Sequence, residues 1–310
     1  MDFLVSAATD IGLTKTVNQD SYDVRVYRTG MGKVVFAVIC DGMGGLSGGE
    51  IASASVVCAF CRWADMRLPL LCGSGIRDDT VRSGWMDIVS SCNENIKTYA
   101  GMYGTRMGTT VTALLITPVR YYILNVGDTR VYEIGDRVRK LTRDQTVTAR
   151  EIELGNMTEA EAERDSRRSV LLQCVGASRE VYPDMFFGDT KDNAVYMLCS
   201  DGFRHEITEE EIQRYLNPGV MTDPGGMGRN MEHLISLNKQ RGERDNISAV
   251  SIRTFYGEGT EQRCVSAETE RLYPQYGESA PTDRLYPEWE PLQFALEAEL
   301  AFAESSKIIE

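Results

Sequence analysis

Only two histidines, His205 and His233, occur in 310 residues, and both read as structural rather than catalytic groups. Positive charge is also in short supply. Lys and Arg number 33 against 46 Asp and Glu, for a net charge of −13, which excludes the basic footprint that nucleic-acid binding needs. No apolar run approaches the length of a membrane span. The opening Met1-Asp2-Phe3-Leu4 lacks the basic region and long apolar segment of a secretory signal, so a reducing cytoplasm is the expected location. Eight cysteines are present, yet no C-x-x-C has a matching partner, which speaks against a zinc site. Cys40, Cys58 and Cys199 lie in apolar runs, where a free thiol packs as a small hydrophobe. The glycines from Gly42 to Gly49 lack the Gly-Lys-Ser/Thr of a nucleotide-binding P-loop.

What is present is an ordinary globular hydrophobic share, 42%, and three acids in similar settings. The apolar run Val34 to Cys40 ends in Asp41-Gly42-Met43-Gly44-Gly45. Tyr196 to Cys199 ends in Ser200-Asp201-Gly202. Arg244-Asp245-Asn246 leads into the strand-like Ile247 to Phe255. One such Asp-Gly is usually a turn. Three carboxylates at strand edges, beside glycines that leave room, suit hard divalent cations such as Mg²⁺ or Mn²⁺.

Strands are predicted at Phe3 to Thr9, Tyr22 to Arg28 and Lys33 to Cys40 from their Val, Phe and Tyr content. Helices are predicted at Gly49 to Met66 and, capped by Ser83, at Ser83 to Tyr103, with a loop over 67–82 around Pro69, Gly73 and Gly75. Strands follow at Thr110 to Thr117, Arg120 to Val126, Thr129 to Ile134 and Val138 to Leu141. Beyond a polar, partly helical stretch, strands return at Val181 to Phe187 and Val195 to Cys199. Helices at Glu206 to Leu216 and Met227 to Arg241 precede the last strand. The order implies an α+β fold, a layered α-β-β-α sandwich with two central antiparallel sheets flanked by helices. Composition shifts near Gly257. Residues 261–310 hold 11 acids and 4 bases, so they carry −7 and leave the rest at −6. Thr269-Glu-Arg-Leu-Tyr-Pro274 returns thirteen residues later as Thr282-Asp-Arg-Leu-Tyr-Pro287, in a Pro- and Gly-bearing linker. A terminal helix is predicted over Pro291 to Ile309. Residues 1–256 are read as the catalytic domain and 257–310 as an acidic tail.

Six short motifs fall in a set order: Thr9-Asp10-Ile11-Gly12 with Asn18-Gln19-Asp20, Asp41-Gly-Met-Gly-Gly45, Gly108-Thr109-Thr110, Asn125-Val-Gly-Asp128-Thr-Arg130, Ser200-Asp201-Gly202 and Asp245-Asn246. From about residue 3 to 255 this resembles the metal-dependent serine/threonine protein phosphatases of the 2C type, in particular the bacterial branch. The resemblance implies hydrolysis of phosphoserine and phosphothreonine in phosphoprotein substrates by water activated at two Mn²⁺ or Mg²⁺ ions. It implies that Asp41 bridges the ions and that Gly42 offers its carbonyl to one of them. Asp201 and Asp245 would hold the other, and Asp128 a weaker third. Asp20 would orient water beside the metals, and Lys15 would contact the substrate phosphate. Arg150 to Gly176 resembles the family's flap, a variable loop beside the site, with Asp165 where relatives often have His.

Three departures matter. Lys15 stands where Arg is usual and cannot grip phosphate bidentately. Gln19 stands where an acid is common. Met43 stands where eukaryotic members have a His general acid. Two rival readings keep the fold but change the role: a pseudophosphatase binding module, and a phosphatase dedicated to one partner. A cysteine-phosphatase reading rests only on the Cys61-x5-Arg67 spacing, which has no glycine between and lies in a predicted helix. The partners expected are a cognate Ser/Thr kinase and, through Thr269 and Thr282 with Leu three residues on, a forkhead-associated domain.

Overall fold

A computed structural model describes residues 1–44, 48–256 and the backbone of 269–270. The strands are β1 (Asp2–Asp10), β2 (Asp20–Thr29), β3 (Gly32–Gly44), β4 (Met107–Thr109), β5 (Val111–Ile116), β6 (Arg120–Val126), β7 (Arg130–Ile134), β8 (Val138–Lys140), β9 (Asp184–Asp189), β10 (Val195–Cys199), β11 (Ile247–Phe255) and β12 (Thr269–Glu270). The helices are α1 (Gly49–Ser74), α2 (Asp78–Tyr103), α3 (Val147–Glu153), α4 (Glu159–Ala162), α5 (Asp201–Arg204), α6 (Glu209–Leu216) and α7 (Pro224–Arg241). One sheet runs β1-β11-β10-β7-β8 and the other β12-β2-β3-β5-β6-β9, with β4 also paired to β3. Every pairing is antiparallel. The fold is the α+β sandwich expected from the order of elements.

Strand periodicity sorts the core into three layers. Along β3, Val34, Phe36, Val38 and Cys40 pack on α1 and α2, whereas Val35, Ala37 and Ile39 face the second sheet. Along β10, Met197 and Cys199 face α5–α7, and Tyr196 and Leu198 face inward. Both faces of β3 and β10 are buried, which is why their sequences are continuous apolar runs rather than alternating ones. Phe36, Phe60, Trp63 and Trp85 form an aromatic cluster under α1 and α2. Truncating Phe36 there to Ala would cost about 3–5 kcal/mol.

Several helix boundaries differ from expectation. The loop expected over 67–82 is mostly helix: α1 continues through Pro69 to Ser74. Ala64, Leu68 and Cys72 continue the buried stripe at four-residue spacing, and their packing outweighs the backbone hydrogen bond that Pro69 removes. The second helix starts at Asp78, and Ser83 is not its cap. Asp78 and Asp79 occupy the first turn, where acidic charge is favourable, and the Ser83 hydroxyl donates to the Thr80 carbonyl. The helix expected from Met227 begins at Pro224, behind an Asp223 cap. In the tail, Thr269–Glu270 pairs with Tyr27 and Val26 of β2. The second repeat, the expected terminal helix and Gly45 lie outside the described residues.

Candidate active site

The layer between the sheets ends in polar residues at one edge. On β2, Val24 and Val26 belong to that layer, and Asp20 shares their parity. On β3, Asp41 shares the parity of Ala37 and Ile39. The two acids are register partners across β2 and β3. On the facing sheet, Leu198 and Val250 lie inward, so Ser200 and Ser248 do too, and the Ser248 hydroxyl hydrogen-bonds to Thr9 at 2.8 Å. Asp201 opens the short helix α5 immediately after β10, and Asp245 sits just before β11. The fold thus brings Asp20, Asp41, Asp201 and Asp245 to one mouth of the sandwich, with Asp128 in the β6–β7 turn beside them.

Close backbone packing holds these loops together. Gly42 donates its N–H to the Gln19 carbonyl at 3.1 Å, and a Cβ at position 42 would lie 2.2 Å from the Gly49 carbonyl oxygen. A Cβ at Gly202 would lie 2.2 Å from the carbonyl of Asn246, so α5 touches the β11 turn only because a glycine is there. Asn246 is buried and accepts the Gln19 N–H at 2.9 Å. Its amide donates to the carbonyls of Ile11 and Val17, which pins the loop carrying Lys15. Thr109 and Thr110 fix Asp41: the Thr110 hydroxyl accepts from its N–H at 2.9 Å, and the Thr109 hydroxyl donates to its carbonyl at 3.0 Å.

The acids are poorly compensated. Asp20 is 9% exposed, and neither carboxylate oxygen has a partner; Asp201 Oδ1 has none either. Burial pushes Asp20 up to about 7 against the hydroxyls of Ser248 and Ser200, with the charges of Asp201 and Asp245 adding to it. Burial also raises Asp41 well above the carboxylate range, and the charges of Asp20, Asp201, Asp128 and Asp245 raise it further. Two cations of the chain answer part of this charge. Lys15 Nζ lies 2.7 Å from Asp245 Oδ1, both side chains being more than a third exposed. Partial burial works against the Lys15 charge, but Asp245, Asp41 and Asp201 outweigh it and hold its pKa up. Arg204 lies 3.2 Å from Asp128 Oδ2. Asp128 is still pushed up to about 7, by burial and by Asp201, against the pull of Arg204. Among the described residues, no three acid, His or Cys side chains already converge as ligands around a single point.

The other singled-out residues are placed as follows. Gln19 Nε2 donates to Glu50 at 3.2 Å, so α1 brings a carboxylate next to the position where an acid is common. The flap is tied down next to Gly42: Thr109 and Val175 exchange backbone hydrogen bonds at 2.9 Å, and Thr109 is the register partner of Gly42. Asp165 pairs with Arg167 within the flap, and the Arg167 hydrogen bonds lower it to about 2. His233 is exposed on α7 against Tyr215. Cys61 is buried in α1 and its thiol donates to Asp23; burial, then that carboxylate, pushes its pKa well up, which removes the thiolate a cysteine phosphatase needs. His205, read as structural, lies instead against Asp201 and Glu243. Its only sequence signal is its place four residues after Asp201, one helical turn along.

Residues 13–223 match the protein phosphatase 2C family, and the chain belongs to it. It is 27% identical over 251 residues to protein phosphatase PhpP of Streptococcus pneumoniae, covering 80% of this chain and 96% of that protein. It is 29% identical over 249 residues to the serine/threonine protein phosphatase PstP of Mycobacterium tuberculosis, across 79% of this chain and 44% of PstP. The solved PstP structure superposes with a TM-score of 0.67 at 26% identity, covering 82% of this chain and 99% of that one. A PstP catalytic-domain structure in complex with two manganese ions gives a TM-score of 0.65 at 25% identity, covering 82% of this chain and 99% of that one. The chain is a protein serine/threonine phosphatase, and no helix among its described residues is long and apolar enough to cross a membrane.

Proposed function

We propose that the chain hydrolyses phosphoserine and phosphothreonine monoesters in phosphoproteins with two divalent cations, Mn²⁺ or Mg²⁺, held by Asp41, the Gly42 carbonyl, Asp201 and Asp245. The observation that carries this is the set of buried carboxylate oxygens left without partners on Asp20 and Asp201. Buried acids without partners are destabilising on their own, and an all-oxygen donor set suits hard cations. Bound there, such cations would lower the pKa of water and offset charge on the phosphoryl oxygens. Asp20, with no cation beside it, orients water at the mouth. Asp128 would add a weaker third site, where it shares its carboxylate with Arg204.

Lys15 stands at the rim, on a loop pinned by Asn246, with its ammonium free to exchange Asp245 for a substrate phosphate. As a point charge it would attract the phosphate without fixing its orientation. The catalytic unit is taken as residues 1–256, working in the cytoplasm on proteins phosphorylated by a cognate Ser/Thr kinase, with the tail motifs as docking sites for a forkhead-associated domain. Para-nitrophenyl phosphate and a phosphothreonine peptide, assayed in Mn²⁺ and then in excess EDTA, test the reading. Turnover of both in Mn²⁺ and of neither in EDTA is expected; full turnover in EDTA would end it.

A further inference from the structure

Asp201 and Asp245 sit on separate elements, and one imidazole links Asp201 to the Asp245 turn by way of Glu243. His205, the residue that closes α5, has Nδ1 3.0 Å from Glu243 Oε2 and Nε2 3.5 Å from Asp201 Oδ2. An ionised carboxylate only accepts, so the ring donates to Glu243 through Nδ1. Glu243 is 8% exposed. Its other oxygen accepts the backbone N–H of Arg244 at 2.7 Å and of Asp245 at 2.8 Å. A single buried carboxylate therefore sets the turn that carries Asp245 and also the ring that faces Asp201. The ring stands on the Oδ2 side of Asp201, and Oδ1 is the oxygen left without a partner.

We propose that His205 and Glu243 are positioning residues of the catalytic centre: Glu243 fixes the Asp245 turn and the His205 ring, and the ring holds Asp201 with Oδ1 directed to the acid cluster. This rests on Asp201 and Asp245 as cation ligands. The chemistry is that of an outer partner, a hydrogen bond at Glu243 and an ion-pair contact at Asp201, which sets the orientation of a ligand and touches neither ion nor substrate. A purely structural ion pair would affect folding alone; a positioning pair affects cation affinity in a protein that is already folded.

The test uses the full chain. Mn²⁺ binding is measured by isothermal titration calorimetry for wild type, His205→Ala, His205→Gln and His205→Asn, with melting in EDTA for each and para-nitrophenyl phosphate turnover across a Mn²⁺ series. His205→Ala is expected to raise the Mn²⁺ Kd by about 10–100-fold. Its melting in EDTA should stay near wild type, and high Mn²⁺ should restore most of kcat without a change in the KM for substrate. His205→Gln, whose amide can still reach Asp201, should recover part of the affinity. If His205→Ala does not fold, His205→Asn carries the same expectation, because it keeps the reach to Glu243 and loses that to Asp201. A folded His205→Ala or His205→Asn with the wild-type Mn²⁺ Kd overturns the proposal alone. A loss of affinity that only tracks a loss of metal-free melting, with no recovery in His205→Gln, overturns it as well. Wild-type protein that binds no Mn²⁺ overturns the two-cation reading and this proposal with it.

Discussion

The start and the middle of β2 treat buried charge in opposite ways. Toward its middle, Arg25 is met on every side: Nη2 lies 2.8 Å from Asp23, Nη1 pairs with Asp65, and the Tyr27 hydroxyl donates to Asp65 at 2.8 Å. Burial opposes the Arg25 charge, but the surrounding acids outweigh it and raise its pKa. At the start of the same strand, Asp20 is as deeply placed and has no cation beside it, only the hydroxyls of Ser248 and Ser200. A satisfied network of this kind stabilises and specifies the packing of α1 on β2. An unsatisfied one costs stability, and a cluster of such carboxylates at one mouth is explained by something binding there. Substitutions at the two places should therefore move stability in opposite directions and activity only at one.

The largest effect is expected at the empty-handed end. Asp41→Asn should lower para-nitrophenyl phosphate turnover by about three orders of magnitude, about 4 kcal/mol of barrier. Its circular dichroism spectrum should match wild type; a mutant with more than a tenth of wild-type turnover would break the contrast. At the satisfied middle of the strand, Arg25→Met should cost about 2–3 kcal/mol in urea unfolding. That is less than the loss of a wholly buried pair, because its two acids are about a third exposed. Turnover per folded molecule should not change.

Asp20→Asn sharpens the comparison most directly. In EDTA it should raise stability by about 1–2 kcal/mol, since it removes an uncompensated buried charge, while turnover in Mn²⁺ falls. A metal-free Asp20→Asn less stable than wild type would show that Asp20 is satisfied in solution. Lys15→Ala should raise KM for a phosphopeptide by about tenfold, or about 1.4 kcal/mol, and Lys15→Arg should hold or lower it through a bidentate grip. Equal KM values in all three proteins would place Lys15 outside the site. The smallest effect belongs to an ordinary surface pair. Arg241 holds Glu211 down to about 2, so the stability this pair adds is present above the usual carboxylate pKa and is lost as pH falls through about 2. Glu211→Gln should cost less than any change above, and the difference from wild type should vanish at that pH.

Asp41 and Asp201 were legible because they follow apolar runs too short for helices and precede glycines, and Asp245 because it leads into such a run. The α+β order was legible for the same reason: each buried strand announces itself by composition. What was not legible depended on contacts distant in sequence. Pro69 marks a helix end locally, but Leu68 and Cys72 are held in the core by β3 and α2, and no local signal reports that. The Ser83 cap failed because the helix gains a turn packed through Val81, which is wholly buried. His205 was passed over because its partner Glu243 lies 38 residues away. Lys15 and Asp128 were placed by the order of motifs, yet their pairing with Asp245 and Arg204 needed the fold.

The alternation along β3 gives the site an unusual genetic fragility. Asp41 faces the inter-sheet mouth only because an even number of steps separates it from Ala37 and Ile39. Deleting one codon between Val34 and Cys40 would leave a run of apolar residues able to fill both layers nearly as before. Every later side chain on the strand would change faces, and Asp41 would turn toward the helices. Such an allele would keep its hydrophobic composition, its charge and its motif string. It would fail through the parity of one strand, a defect that inspection of the motif alone would miss.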